Sequence, residues 1–232
     1  MLTQSDKNRF LNDFIPFQRS VARIGLWNGL SQTLLKLTAP GVPDIYQGNE
    51  LWQFSLVDPD NRSPVDFARR ERAFADIRQL ESDPVGVSRL LGTPEDGRLK
   101  LYVIWKTLCL RKQIPEVFET GAYVPLGVSG TKADHVVAFL RTSGNTSVVV
   151  VAPRLIAALL SGKDNNIDIP PVGPSVWDDT DLLLPVSNSE DYRNAFTGKD
   201  LRTQEIDSNG EFKKIAISEA LGDFPVALYL RG

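Results

Sequence analysis

Between residues 10 and 37 the apolar positions Leu11, Phe14, Ile15, Phe17, Val21, Ile24, Leu26, Trp27, Leu30, Leu34 and Leu35 recur mostly three and four apart, the spacing of an amphipathic helix. Pro16 and Gly25 interrupt the run. The pattern therefore predicts two helical segments, the second over about residues 20–36, closed by the breaker Thr38-Ala39-Pro40-Gly41. Residues 42–46 read as a short buried strand, and 47–63 as a loop of the kind that carries function on a rigid scaffold. The helical period returns over 65–80, with Asp66, Arg69, Arg70, Glu71, Arg72 and Asp76 on the wet face. After a break at Pro84 and Gly86 and a polar turn over 92–97, it returns over 99–113, where Leu101, Ile104, Trp105, Leu108 and Leu110 form the expected buried face. That helix ends before Pro115.

Beyond Pro115 the period shortens. Residues 121–126, 136–140, 147–151, 181–184, 194–196, 201–206, 212–217 and 226–230 are short β-rich runs, separated by turn signals such as Ser143-Gly144-Asn145, Thr197-Gly198-Lys199 and Ser208-Asn209-Gly210. This predicts an antiparallel β-sandwich, with a brief helix added over 155–160. The fold class is α+β in two domains, a mostly helical 1–115 and a β domain over 116–232. No fixed-period repeat or low-complexity tract interrupts that division.

Composition narrows the function by exclusion. The chain has 232 residues, 42% hydrophobic and 24% charged, with a formal net charge of -3, so it has no cationic footprint for nucleic acid or an anionic membrane surface. One cysteine, Cys109, rules out a disulfide within the chain or a site with two thiolates, and it fits a reducing cytoplasm. Its place in an apolar helix predicts a buried, inert thiol. Residues 1–14 carry Asp6, Lys7, Arg9 and Asp13 without the apolar core of a secretory signal. Residues 148–160 contain Pro153 and Arg154 and are too short to span a bilayer.

The sole histidine, His135, has no serine or cysteine elbow and no metal-ligand spacing around it, so neither a triad nor a metal site is expected. No glycine pattern cradles phosphate, so no nucleotide cofactor is expected. Of the four tryptophans, Trp27 and Trp105 fall on helical core faces. Trp52 and Trp177 remain as possible stacking platforms.

The richest chemistry lies in Leu37-Thr38-Ala39-Pro40-Gly41-Val42-Pro43-Asp44-Ile45-Tyr46-Gln47-Gly48-Asn49-Glu50, followed by Asp58-Pro59-Asp60-Asn61-Arg62-Ser63-Pro64-Val65-Asp66. Carboxylates, amides, a phenol and a guanidinium around proline and glycine make the inventory of a sugar-binding loop. Nothing elsewhere in the chain completes a catalytic site around it. Two readings stand for each residue, because Asp58-Pro59-Asp60-Asn61 is also a favourable turn, Arg62 can pair with Glu50 or Asp66, and Tyr46 can be a core residue with a satisfied hydroxyl. Glu50 reads as a structural hydrogen-bond partner.

The order of a helix, PGVPDIYQGNEL, SLVDPDNRSPVDFARR, DGRLKLYVIWKTLCLRKQIPEVFETGAYVPL and a β region ending LGDFPVALYLRG resembles the C-terminal part of the maltooligosyltrehalose synthase family, within the α-amylase superfamily. The resemblance covers essentially the whole chain. The superfamily shares a looser form of the first motif; the continuation from Asp58 through Asp66 narrows it to the trehalose-forming group. Ser63 stands where that group leads one to expect arginine.

The resemblance implies that residues 1–115 form the end of a (β/α)8 barrel, including its last strand and the following loop, and that 116–232 form a C-terminal β-sandwich. It implies conversion of the reducing-end α-1,4 linkage of a maltooligosaccharide to α,α-1,1 by intramolecular transglucosylation, which needs a nucleophilic carboxylate and a carboxylic acid about 5 Å apart. In the family these come from barrel strands before the region matched here. No catalytic residue, metal or cofactor is therefore expected in this chain, and the fragment is expected to be inactive alone.

The expected partners are a maltooligosaccharide and the missing N-terminal barrel portion, with self-association of the fragment as a further possibility. Barrel sites lie at the C-terminal ends of strands, which implies substrate binding by Tyr46, Gln47, Trp52, Asp58, Asp60, Asn61 and Arg62. Tyr46 would stack on a pyranose face, Arg62 would fork two hydroxyls or orient a carboxylate, and Asp58 and Asp60 would accept sugar hydroxyls. Gln47 and Asn61 would donate and accept at once. The alternative is a non-catalytic carbohydrate-binding or structural accessory domain.

Overall fold

In the computed structural model, residues 8–54, 62–80, 86–161, 169–186, 191–201 and 210–231 are described. Helix α1 (Arg9–Thr38) is continuous, where two segments were expected. Pro16 lies on the solvent side, so the carbonyl that its missing N–H leaves unserved is open to water. A Cβ at Gly25 would meet nothing within 4 Å, so that glycine marks no close approach. What holds the helix through both is its C-terminal half, where Leu26, Trp27, Leu30, Leu34 and Leu37 are each at most 4% exposed.

Residues 42–46 depart from expectation. They run without a strand partner among the described residues, and Val42 is 96% exposed. A strand is a property of its neighbours as much as of its residues, since each edge needs a ladder.

Helix α2 (Phe67–Leu80) and helix α4 (Arg98–Gln113) fall within two residues of their sequence boundaries; the short α3 (Gly86–Arg89) and two 3-10 turns lie between them. Along α4 the burial is broader than one stripe, taking in Leu99, Leu101, Tyr102, Val103, Ile104, Thr107 and Leu110. Leu108 and Cys109 are nevertheless exposed, so the thiol is not the buried group expected. Pro115 does not stop the chain but opens another short helix, α5 (Pro115–Glu119), as its fixed φ allows at a first helical position.

The strands are β1 (Ala122–Pro125), β2 (Gly127–Ser129), β3 (Val136–Ser143), β4 (Thr146–Pro153), β5 (Asp181–Pro185), β6 (Tyr192–Asn194), β7 (Asp200–Leu201), β8 (Phe212–Ala216) and β9 (Ala227–Arg231). Among the described residues they pair antiparallel throughout, in one sheet of order β1-β3-β4-β9-β6-β7 and another of order β2-β5-β8. Gly144, at φ +57°, takes the first of the two loop positions between Ser143 and Thr146 in the β3–β4 hairpin, a place that favours glycine. Helices α6 (Ile156–Leu160), α7 (Pro174–Trp177) and α8 (Ile217–Ala220) close gaps between strands.

β4 is buried at nearly every position, Ser147 through Pro153, because it lies inside the sheet and α1 packs against it. A continuous valine run rather than an alternating one follows from that two-sided burial. One apolar core accordingly runs from Trp27 and Leu34 in α1, through Tyr102 in α4, to Val149 in β4 and Leu228 in β9.

Two arginines tie the helices to the sheet at the C-terminus of α1, where orphan carbonyls collect. Arg111 Nη1 donates to Leu37 O at 2.8 Å, and its guanidinium lies 4.9 Å from the Phe118 ring centre. Arg141, 1% exposed in β3, donates to Thr38 O at 2.9 Å, Phe118 O at 2.9 Å and Gly121 O at 3.1 Å.

Candidate functional site

The segment after Tyr46 turns back sharply. Asn49 N donates to Tyr46 O at 3.0 Å, and Gly48 adopts φ +92°, a conformation glycine takes without strain. α2 fixes this turn from outside. Asp66 Oδ1 accepts from Arg69 N at 2.8 Å, capping the helix start, and this places Arg70 one turn later facing the turn. Arg70 donates through Nη2 to Gly48 O at 2.5 Å, through Nε to Glu50 Oε2 at 3.0 Å and through Nη1 to Asp66 O at 3.0 Å. Glu50 is thus a structural partner, its carboxylate held by Arg70.

Between residues 46–53 and 63–70 lies a cavity of about 340 Å³. Tyr46, Gln47 and Trp52 line one side and Ser63, Asp66 and Arg69 the other. Tyr46 is 54% exposed, so its ring is a surface group and not a core one. Arg62 is exposed and stands next to Ser63 at the rim. Asp58, Asp60 and Asn61 lie outside the described residues. The structure therefore brings Tyr46, Gln47 and Trp52 to one cavity.

Trp52 is half-buried and anchored, its Nε1 donating to Pro94 O at 2.6 Å. Phe54, 74% exposed, stacks beside it with ring centres 6.4 Å apart and planes 19° from parallel. Trp177, the other expected platform, is a core residue. It is 0% exposed with Nε1 bonded to Pro171 O at 3.0 Å, since α7 folds its flat indole inward and the proline carbonyl satisfies its one donor.

A second cavity, of about 310 Å³, adjoins the first and shares Asn49, Trp52 and Gln53 with it. Its floor is α1 at Gly25 and Gly29, and its edges carry Lys36 and Lys100. A Cβ on Gly29 would come within 3.1 Å of the Trp52 ring, so that glycine admits the indole. Lys100 Nζ donates to Leu51 O at 3.2 Å and lies 5.2 Å from the Trp52 ring centre. Burial pulls its ammonium down to about 8; Lys36 adds like-charge repulsion and Glu50 acts in the opposite sense.

Sequence reasoning missed Arg70 and Lys100. An acidic residue just before an apolar helix start is the signal that could have singled out the Asp66 cap and hence the direction of Arg70. Lys100 had no comparable signal, because its partners come from segments distant in sequence. Among the described residues no group of three His, Cys, Asp or Glu side chains is placed to hold a metal ion, and no helix is long and apolar enough to cross a membrane.

No family model matches the chain. A curated Mycobacterium tuberculosis protein named as a maltooligosyl trehalose synthase is 35% identical over 204 residues, which is 88% of this chain and 20% of that protein. The chain is related to maltooligosyltrehalose synthase over part of that enzyme's length. The solved maltooligosyltrehalose synthase of Arthrobacter ramosus agrees, at 30% identity and a TM-score of 0.71 over 99% of this chain and 25% of that one. A Sulfolobus tokodaii structure titled as a hypothetical maltooligosyl trehalose synthase, 22% identical with a TM-score of 0.55 over 97% of this chain and 23% of that one, shares the fold. This chain thus spans about a fifth of the length of the curated maltooligosyltrehalose synthases it matches, and a C-terminal portion of that enzyme fits the likeness.

Proposed function

We propose that this chain is the C-terminal part of a maltooligosyltrehalose synthase, with 1–115 the end of its catalytic barrel and 116–232 its β-sandwich domain. In this reading Tyr46, Gln47, Trp52, Asp58, Asp60, Asn61 and Arg62 bind glucose units of a maltooligosaccharide. The rest of the enzyme supplies the carboxylates that convert the reducing-end α-1,4 linkage to α,α-1,1, and the chain works in the cytoplasm of its cell. The observation that carries the reading is the likeness along 88% of the chain to a fifth of a maltooligosyltrehalose synthase. The Tyr46, Gln47 and Trp52 cavity supports it with an exposed phenol and amides suited to a pyranose face and its hydroxyls.

The test is trehalosyl-product formation from maltopentaose, with the chain alone and mixed with the remaining N-terminal portion of such an enzyme. Product only from the mixture is the expected result. Product from the chain alone would overturn the division of labour, and an inactive mixture whose two parts bind each other would overturn the substrate assignment.

A surface feature supports the same reading. Phe10, Phe14, Phe17 and Val21 follow one face of α1 and are 59%, 45%, 65% and 53% exposed, and the first two rings stack 5.3 Å apart. An apolar stripe of this kind is a surface that another part of a larger fold would cover. Alone, the chain should therefore self-associate. Light scattering should give a mass that rises with concentration and falls to the monomer value in Phe14→Ser/Phe17→Ser; a concentration-independent monomer for the parent chain would contradict this.

A further inference from the structure

The cavity between α1 and residues 49–54 carries a charge that the sugar reading does not use. Two lysines, Lys36 from α1 and Lys100 from α4, edge the same space, and the carboxylate that acts on Lys100, Glu50, is already held by Arg70 at 3.0 Å. Among the described residues Lys36 has no ion-pair partner. The exposed Lys36 adds like-charge repulsion at the more buried Lys100, and an anion between the two would relieve it. Gln32 and Asn49 line the space with donors and acceptors, the Trp52–Phe54 pair gives it an aromatic wall, and beyond Gly25 the floor is open. Neutral hydroxyls alone do not call for two ammonium groups; a phosphate does, and an aromatic wall with amides suits the organic group it is attached to.

We propose that this cavity is a binding site for a phosphate group, with Lys36 and Lys100 holding the phosphate and the Trp52–Phe54 wall receiving any attached sugar. The site shares Asn49, Trp52 and Gln53 with the Tyr46 and Gln47 cavity, but its two lysines line only this space, so phosphate binding there does not depend on whether maltooligosaccharide binds beside it. Lys100 adds a pH signature. Its ammonium is charged below about 8, so its own contribution to affinity is full below that pH and falls as pH rises through it, while the phosphate keeps its second charge only above about pH 6. Lys36 on α1 and Glu50 on the loop are the charged groups that act on it, and a bound phosphate raises its pKa, so binding takes up protons near pH 8.

Calorimetric titration of the 232-residue chain with glucose 6-phosphate, inorganic phosphate and glucose, at matched ionic strength in chloride, tests this. Both phosphates should bind saturably and glucose should not compete with them. The apparent Kd should rise by up to about tenfold per pH unit above pH 8. Lys100→Gln should lose about tenfold or more in affinity and Lys36→Gln about fivefold, as expected for charge-assisted contacts. Lys36 is exposed, so its variant decides the matter if Lys100→Gln fails to fold. Tighter binding of glucose 6-phosphate identifies a sugar phosphate as occupant; equal binding identifies free phosphate. Absence of saturation by either phosphate, or unchanged affinity in Lys36→Gln, overturns the proposal.

Discussion

Arg141→Met should lower the stability of this chain by about 3–5 kcal/mol, the largest loss expected from a single side chain here. The guanidinium is buried and its donors reach carbonyls of three different segments, Thr38 at the end of α1, Phe118 in α5 and Gly121 just before β1. A methionine of similar length fills the volume but donates nothing. Two buried carbonyls, of Thr38 and Phe118, and the partly buried one of Gly121 would be left without that partner, each buried one costing on the order of 1–3 kcal/mol. The site is not ideal even as it stands. The Nε of Arg141 has no partner among the described residues, and burial followed by the charge of Arg111 pulls the guanidinium pKa below the usual arginine value. These costs are outweighed because a single planar fork closes the α1 terminus and fastens it to β3.

Lysine, a single point donor, should recover only part of the loss. For a chain of this size the methionine variant should melt about 10 °C lower, measured by calorimetry. A melting temperature within about 2 °C of the parent would show that Arg141 is not the fastening described.

The same residue shows where the sequence stopped being legible. β3 was readable from its apolar run over 136–140, but nothing in that run tells that Arg141 points inward to a helix end distant in sequence. The helices at 67–80 and 98–113 were legible because each carries its own period, and the valine run of β4 because two-sided burial leaves a continuous apolar string. Residues 42–46, Val-Pro-Asp-Ile-Tyr, carry a shorter and less apolar string and pair with no strand among the described residues, since strand formation needs partners that the string does not encode.

Leu108 and Cys109 failed for a related reason. α4 is buried on more than one face in its first turns, so a 3.6-residue period cannot say which side turns to solvent at its end. Trp177 falls on no helical core face in the sequence, yet its indole is buried with its N–H on a proline carbonyl six residues back. In the candidate site, the chemistry of Tyr46, Gln47 and Trp52 could be read from residue type and turn signals. What holds them could not, because Arg70 meets Glu50 across 20 residues and Lys100 meets Leu51 across 49.

That dependence makes Arg70→Ala the second large effect, and its consequence is local order rather than global stability. Arg70 clamps the turn at both Gly48 O and Glu50, while Gly48 already sits in a conformation that favours glycine. Without the clamp the turn keeps the backbone bond from Asn49 N to Tyr46 O, and Glu50 loses its ion pair with Arg70. The pair is partly exposed, so the ion pair itself contributes little; the carbonyl bond and the position it fixes matter more.

Amide exchange at residues 48–51 should quicken by about tenfold or more in Arg70→Ala, with exchange in β4 unchanged. If Tyr46 and Gln47 bind sugar as proposed, the variant mixed with the rest of the enzyme should also lose on the order of 100-fold in kcat/KM for maltopentaose, since a shift of about 1 Å in a positioning group costs that much. Arg70→Lys should rescue little, because one ammonium cannot serve Gly48, Glu50 and Asp66 together. The two readouts separate the claims. Faster exchange with unchanged kcat/KM keeps the clamp and removes the turn from the substrate site; unchanged exchange removes the clamp itself.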